Sequence, residues 1–280
     1  PGPPAPDPSE QGPLSVIRYA PEGEVPIAPH LSVTFSQPMI AVSTQDEAAA
    51  QVPVTITPQP PGQWRWLGTK TVLFEPLARF PMATEYSVQV PAGAASATGG
   101  SLSAAHRFTF ATPALKLLGQ HPTGGPQSLD PVVFLSFDQA IDRTALMASI
   151  SLRTGATTVP VRLATEAEVQ ADPSVRSMAA STPPDRWIAL VPTAPLPKDT
   201  QFTVRVAKGA PSAEGPRGTP TDQAFSFRTY GPLRLTEHRC SWGDRCPPES
   251  DWSIGFSNAL DAAAFDGAAW TVAPQVRALD

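Results

Sequence analysis

Residues 31–39 read LSVTFSQPM, and the same pattern returns as VFLSFDQAI at residues 133–141 and as WSIGFSNAL at residues 252–260. In each stretch, large apolar side chains alternate with small or polar ones before the chain enters a turn. Alternation with a period of two is typical of a β-strand that is buried on one face. The sequence therefore predicts the same half-buried strand, followed by the same turn, in three repeats of one unit.

The match between the first two repeats extends well beyond this strand. FPMATEYSVQV at residues 80–90 corresponds to LPKDTQFTVRV at residues 196–206, and FTFAT at residues 108–112 corresponds to FSFRT at residues 225–229. Each repeat has about seven short apolar runs with turn signals every 8–12 residues, which is typical of an antiparallel β-sandwich. We expect two cores that contain the following large residues: Phe35, Phe74, Tyr86, Phe108, Phe110, Phe137, Leu190, Phe202, Phe225 and Phe227.

Proline sets further limits on this fold. The chain has 35 prolines in 280 residues, against an average usage of about 5%. Because proline in a helix interior costs about 3 kcal/mol, we expect an all-β protein of tandem antiparallel β-sandwiches. Pro53 and Pro160 lie inside strand-like runs, so these strands should lie at sheet edges or begin at the proline.

The repeats divide the chain into a proline-rich tether, two complete sandwiches and an incomplete third one. These segments are residues 1–13, 14–113, 114–229 and 230–280. The second repeat has an insertion in which residues 166–170 predict a short helix that Pro173 stops. The third repeat has a further apolar run at residues 270–274 but lacks the later strands, so we expect the chain to be a fragment of a longer protein.

Cys240 and Cys246, the two cysteines of the chain, flank a predicted turn. We expect a disulfide that closes this loop and stabilises the fold by about 2–2.5 kcal/mol in the chain-entropy account; free thiols are the alternative. A zinc site would need two more ligands, and His238 is the one candidate nearby. A disulfide implies an oxidising compartment.

No motif in the sequence points to catalysis. The histidines are isolated, and the sequence has no zinc-protease motif, P-loop or serine-hydrolase elbow. We therefore expect no enzymatic activity, no cofactor and no metal. Trp64 and Trp66 lie on the same face of one predicted strand. In one interpretation they form an exposed contact surface for carbohydrate or peptide. In the other they pack against a core edge or a neighbouring domain. Asp138, Asp142 and Asp261 suit either a calcium site or solvated turns and a helix start.

Charge and hydropathy exclude two further classes of protein. The net charge is −5 and no basic stripe occurs, so we expect no nucleic-acid partner. No run of the sequence approaches the roughly 18 apolar residues that a membrane-spanning helix needs.

Several runs resemble the N-terminal part of bacterial α2-macroglobulin-like proteins, and the resemblance covers about residues 14–280. The runs that carry it are FSQPMIAVST, PGQWRWLGTKTVLFEP, FPMATEYSVQVPAG, PSAEGPRGT and FSFRTYGPLRLTEHRC. Proteins of that family are large periplasmic protease traps, often lipoproteins, with macroglobulin-like β-sandwich domains in series. Many have a Cys-x-x-Gln thioester much later in the chain. Neither Cys240 nor Cys246 matches that motif, so no catalytic residue is transferred.

The resemblance implies that the chain is the N-terminal scaffold of a broad-spectrum protease inhibitor of the periplasm or cell envelope. Its partners would be the proteases trapped by the full-length protein and the macroglobulin-like domains that follow. Residues 1–13 would connect the first sandwich to a lipidated cysteine in the inner membrane that lies outside this sequence. Two alternatives remain open: an Ig-like cell-surface or S-layer module with a structural or adhesive role, and an accessory module of a secreted carbohydrate-active enzyme.

Overall fold

The computed structural model describes residues 12–41, 51–123, 125–240, 251–261, 263, 264 and 266. These residues form four four-stranded sheets, one two-stranded sheet and three short helices. The four larger sheets build two Ig-like sandwiches, which confirms the predicted all-β fold. The predicted segment boundaries stay predictions, but the two sandwiches lie on either side of Pro113.

The first sandwich consists of two sheets. One has the strand order β1–β3–β6–β5, formed by Val16–Ala20, Leu31–Phe35, Thr71–Pro76 and Gly62–Leu67. The other has the order β2–β8–β7–β4, formed by Gly23–Glu24, His106–Ala111, Glu85–Val90 and Thr55–Thr57. Strand β4 begins after Pro53 and lies at a sheet edge, as the proline predicted.

Alternating apolar side chains fill the space between these sheets. Along β3, Leu31, Val33 and Phe35 point inward and are fully buried, whereas the two residues between them are half-buried. The Tyr86 ring stacks on Phe110 with centroids 4.8 Å apart. All the large residues that were expected in the two cores are buried, which confirms that part of the prediction.

The second sandwich repeats this arrangement. One sheet has the order β13–β14–β10–β9, formed by Val161–Leu163, Trp187–Pro192, Val133–Phe137 and Leu117–His121. The other has the order β12–β11–β15–β16, formed by Thr157–Val159, Ile150–Thr154, Gln201–Val206 and Gln223–Arg228. Pro160 separates β12 from β13, so one strand-like run supplies an edge strand to each of two opposite sheets. This confirms the edge position that the proline predicted.

The second sandwich also contains the three helices: α1 (Arg143–Met147), α2 (Glu166–Ala171) and α3 (Pro173–Ser181). The predicted helix at residues 166–170 is confirmed as α2, and a capping box between Thr165 and Glu168 fixes its start. Pro173 follows the end of α2 but also begins α3, which the sequence reasoning missed. Asp172 caps α3, and proline suits the first turn because the N–H it lacks has no helical partner there.

The insertion changes the environment of β10. Val169 of α2 and Val175 of α3 pack with Phe134 and Val191 on the outer face of the sheet. All five residues of β10 are therefore buried. The expectation of a half-buried strand, which holds for β3, was wrong for β10 because helices cover its second face.

The described part of the third repeat is an antiparallel hairpin of β17 (Leu235–Cys240) and β18 (Trp252–Phe256). Its apolar side chains Leu235, Trp252 and Ile254 are exposed. The apolar run at residues 270–274 lies outside the described residues. Within the described ranges, no helix combines the length and apolarity needed to cross a membrane.

Candidate functional site

The two tryptophans of β5 do not form the exposed contact surface that one interpretation of the sequence suggested. Trp66 is 3% exposed, and half-buried Trp64 packs edge-on against Phe74 with ring centroids 5.0 Å apart. The period-two spacing does place both rings on one face, but that face is the interior one. Burial removes large apolar rings from water, so the packing interpretation replaces that of a carbohydrate or peptide platform.

The other residues predicted from sequence are not brought together. Asp138 and Asp261 accept hydrogen bonds from backbone N–H groups in turns, and Asp142 caps α1. Among the described residues, no three metal-binding side chains cluster. The Cys240–Cys246 disulfide stays a prediction, because Cys246 lies outside the described residues.

The structure instead assembles polar groups at the junction of the two sandwiches. Residues 212–218 of the second sandwich, which we call its head loop, reach residues 80–84 of the first, which we call its tail loop. The head loop is anchored in its own sandwich, because the Ser212 hydroxyl donates to Gln139 Oε1 at 2.8 Å. The Gln139 side chain is fully buried, so this anchor is shielded from water.

Glu214 is the central side chain of the junction and binds both sandwiches. One carboxylate oxygen accepts from the Ala140 N–H of its own sandwich at 2.9 Å, and the other accepts from the Met82 N–H of the first at 3.1 Å. The Arg79 guanidinium lies 2.6 Å from the carboxylate. The two backbone bonds are partly buried, whereas the pair with Arg79 is exposed to solvent, so the charge-assisted bonds to the backbone are the stronger part of this contact.

The surroundings of Glu214 keep its carboxyl ionised at neutral pH. Burial raises the pKa of Glu214. Hydrogen bonds from the Ala140 N–H, the Arg79 guanidinium and the Met82 N–H together lower it by more than burial raises it. The net pKa therefore lies below the ordinary value of 4.5. The carboxylate is thus present in the charged form that these donors require.

Arg217 forms the second contact across the junction. Its backbone N–H donates to the Ala83 carbonyl at 2.7 Å. Its guanidinium donates to the Thr112 carbonyl at 2.5 Å and to the Glu24 carboxylate at 2.8 Å. Ala83 has a φ of +52°, which is rare for a residue with a Cβ, and its N–H donates to the Pro113 carbonyl at 2.8 Å. One residue thus connects the head loop to the tail loop through its backbone, and to Thr112 and β2 through its side chain.

The head loop lies close against the tail loop at Gly215. A Cβ on this residue would lie 2.2 Å from Thr84 Oγ1, 2.4 Å from the Met82 carbonyl oxygen and 2.5 Å from the Ala83 carbonyl oxygen. Real Cβ atoms essentially never approach other atoms below 3.0 Å. Gly215 does not have a positive φ, so the glycine is required for space and not for its backbone conformation.

Sequence reasoning did not identify this junction. Residues 211–219, PSAEGPRGT, have the composition of an exposed turn. A signal was nevertheless present in the repeat: the counterpart of the head loop in the first sandwich, SATGG at residues 96–100, has no charged residue. Glu214 and Arg217 are charges that the second repeat adds at the place where it meets the first.

Two grooves lie near the insertion and the junction. One of about 370 Å³ is lined by residues of both sandwiches, among them Glu24, Lys116 and Arg217. Another of about 550 Å³ lies on the second sandwich beside Arg162 and Glu168. These two side chains pair with each other at 2.6 Å, so each already has an opposite charge beside it.

Comparison with known families finds a match to the first sandwich. Residues 10–112 match the family model described as a bacterial Ig-like domain. This range contains every strand from β1 to β8, so the match covers the whole first sandwich.

Individual relatives match parts of the chain. Circularly permutated Ras protein 2 of Dictyostelium discoideum is 25% identical over 142 residues, which make up 49% of this chain and 4% of that protein. An L,D-transpeptidase from Mycobacterium tuberculosis is 18% identical with a TM-score of 0.26, over 55% of this chain and 60% of that one. Native alpha-2-macroglobulin from Escherichia coli, spanning domains MG0-NIE-MG1, is 12% identical with a TM-score of 0.26, over 81% of this chain and 74% of that one. The chain thus spans less than two thirds of the first two relatives.

Proposed function

We propose that the chain is a stiff spacer whose Ig-like sandwiches hold the neighbouring parts of a cell-envelope protein at a fixed distance and angle. One observation carries this proposal: the partly buried Glu214 carboxylate accepts hydrogen bonds from backbone N–H groups of both sandwiches. Domains in one chain normally move relative to each other unless their interface is large and hydrophobic, so a polar junction such as this one can restrain them only through directional contacts. Here the contact is specific. Gly215 lets the head loop lie close against the tail loop, and Arg217 bonds to Ala83, so the head loop fits the tail loop in one position.

The finer proposal is that this spacer is the N-terminal scaffold of an α2-macroglobulin-like broad-spectrum protease inhibitor. The runs quoted above support it, and one of them, PSAEGPRGT, contains the whole head loop. In this proposal the partners are the trapped proteases and the macroglobulin-like domains that follow. The protein acts in the periplasm or cell envelope, where residues 1–13 connect it to a lipid anchor. The spacer itself has no catalytic residue.

Protease protection assays test the finer proposal. The whole protein that contains this chain is mixed with a protease, and cleavage of a large protein substrate is compared with cleavage of a small chromogenic peptide. A trap that encloses the protease blocks the large substrate and leaves the small one accessible. We expect this difference for the whole protein and no effect of the 280-residue chain alone. If the whole protein changes the cleavage of neither substrate, the structural cell-surface alternative is favoured.

A further inference from the structure

The tail loop of the first sandwich is a small receptor, meaning a binding site for the head loop, and a frame of internal hydrogen bonds fixes its shape. The Thr112 hydroxyl donates to the Pro81 carbonyl at 2.8 Å and accepts from the Thr84 N–H at 3.1 Å. The Ala83 N–H donates to the Pro113 carbonyl at 2.8 Å. This frame leaves the Met82 N–H and the Ala83 and Thr112 carbonyls available, and the head loop of the second sandwich binds these three groups.

The second sandwich has the same frame at its own far end, in residues 196–200, its tail loop. The Thr229 hydroxyl donates to the Pro197 carbonyl at 2.6 Å and accepts from the Thr200 N–H at 3.1 Å. The Asp199 N–H donates to the Tyr230 carbonyl at 2.8 Å. Asp199 also has a φ of +52°, the same value as Ala83. The backbone of the receptor is therefore built twice in this chain.

The two receptors differ in what covers them. Ala83 is 0% exposed beneath the head loop, whereas Lys198 and Asp199 are exposed. Within the described residues, nothing binds the Lys198 N–H or the Asp199 and Thr229 carbonyls, the counterparts of the three groups used at the first junction. The second tail loop is therefore preformed and open in the part of the chain that the structure describes.

The third repeat begins on this end of the second sandwich as the second repeat begins on the first. The Gln139 side-chain amide donates to the Pro113 carbonyl at 3.3 Å. The Asn258 amide donates to the Gly231 carbonyl at 2.9 Å, one residue beyond Tyr230, the counterpart of Pro113. The turn after β18 thus contacts the linker that follows the second sandwich, as the turn after β10 contacts the linker that follows the first. The third repeat therefore lies next to the second tail loop, because Gly231, which Asn258 contacts, lies beside Asp199.

We propose that the second tail loop is a docking site for the head loop of a third sandwich built on the β17–β18 hairpin. In the complete repeats, Gln37 and Gln139 bind a head-loop serine 59 and 73 residues later. At that spacing the expected loop follows Asn258 beyond residue 280. Its chemistry follows from the receptor: a glycine that faces Asp199, and a carboxylate that binds the N–H and the ammonium group of Lys198. This inference extends the spacer proposal to the next junction.

A tandem protein tests this inference. Residues 1–230 are followed by a second copy of residues 114–229, so that a copied head loop follows the open tail loop. We expect hydrogen exchange at the Lys198 amide to slow at least tenfold relative to the 280-residue chain. A valine in place of the copied Gly215 should restore the fast exchange. The Met82 amide, which reports the first junction, should be equally protected in all three proteins, so failure of the spacer proposal would show there independently.

Two outcomes would overturn the inference. One is fast exchange at Lys198 in a tandem whose circular dichroism shows that the added sandwich is folded. If the added sandwich does not fold, the 280-residue chain is titrated with a disulfide-closed peptide that contains SAEGPRG. NMR shifts confined to residues 198–200 and Thr229 support the site, and their absence at millimolar peptide contradicts it.

Discussion

Replacing Gly215 with alanine should uncouple the two sandwiches without unfolding either of them. The new Cβ would lie 2.2–2.5 Å from three atoms of the tail loop, so the head loop must withdraw. Withdrawal breaks the hydrogen bond from the Arg217 N–H to the Ala83 carbonyl and the one from the Met82 N–H to the Glu214 carboxylate. Neither core contains any of these residues, so the loss should fall on the junction alone.

The magnitude follows from the two hydrogen bonds that are lost. A neutral hydrogen bond contributes about 1 kcal/mol, and one to a charged group contributes about 1.5–3 kcal/mol. We therefore expect Gly215→Ala to remove about 2.5–4 kcal/mol of coupling free energy between the sandwiches. The unfolding transition of the whole chain should become broader or separate into two steps, because each sandwich then unfolds on its own.

Urea unfolding of the full chain measures this effect, combined with a double-mutant cycle between Gly215→Ala and Arg217→Ala. Both substitutions weaken the contact of the head loop with the first sandwich, so their effects should not simply add. Gly125→Ala is the matched control, because its Cβ would meet nothing within 4 Å, and we expect a change within about 0.5 kcal/mol. A Gly215→Ala protein as stable as this control, or full additivity with Arg217→Ala, would refute the reasoning.

Three further predictions concern the junction, the core and the cysteines. The stabilisation from Glu214 should be fully present above about pH 4.5 and be lost as the pH falls through the lower pKa that this carboxyl has in the folded protein. Measurements of the distance between the sandwiches from pH 7 to 3 check this. The substitution Glu214→Gln should remove the pH dependence. Trp66→Ala should cost about 3–5 kcal/mol and Trp64→Ala clearly less, since Trp64 is half-buried; equal losses in urea unfolding would contradict the packing described. Thiol titration of the unfolded, unreduced protein should find neither Cys240 nor Cys246 free, and two free thiols would end the disulfide prediction.

The sequence predicted the fold well because strand periodicity and proline act locally. Phe35 and Phe137 lie at the same step of the same alternation, and both are buried between sheets. Pro160 indicated a strand edge because proline lacks an N–H wherever it lies. The burial of both faces of β10 was harder to predict. It depends on α3, a helix that begins at the proline that was expected to end the helical region.

The junction could not be predicted from local pattern. Glu214 and Arg217 are read as solvated turn residues, since nothing in their own loop shows that its partner lies more than 130 residues earlier. Trp66 shows the converse ambiguity: the residue type is common at binding surfaces, and the side chain belongs to the core. In both cases the outcome depends on which side of a strand or loop faces another element, and only the assembled sheets determine that.

The central claim is that the head loop holds the two sandwiches in one relative position. Spin labels at the exposed positions Ser87 and Ser226, in a protein with both cysteines replaced by serine, report the distance between the sandwiches by pulsed electron resonance. We predict one narrow distance distribution in the otherwise unaltered chain and a broad one in Gly215→Ala. A distribution that is equally broad in both proteins would contradict the account.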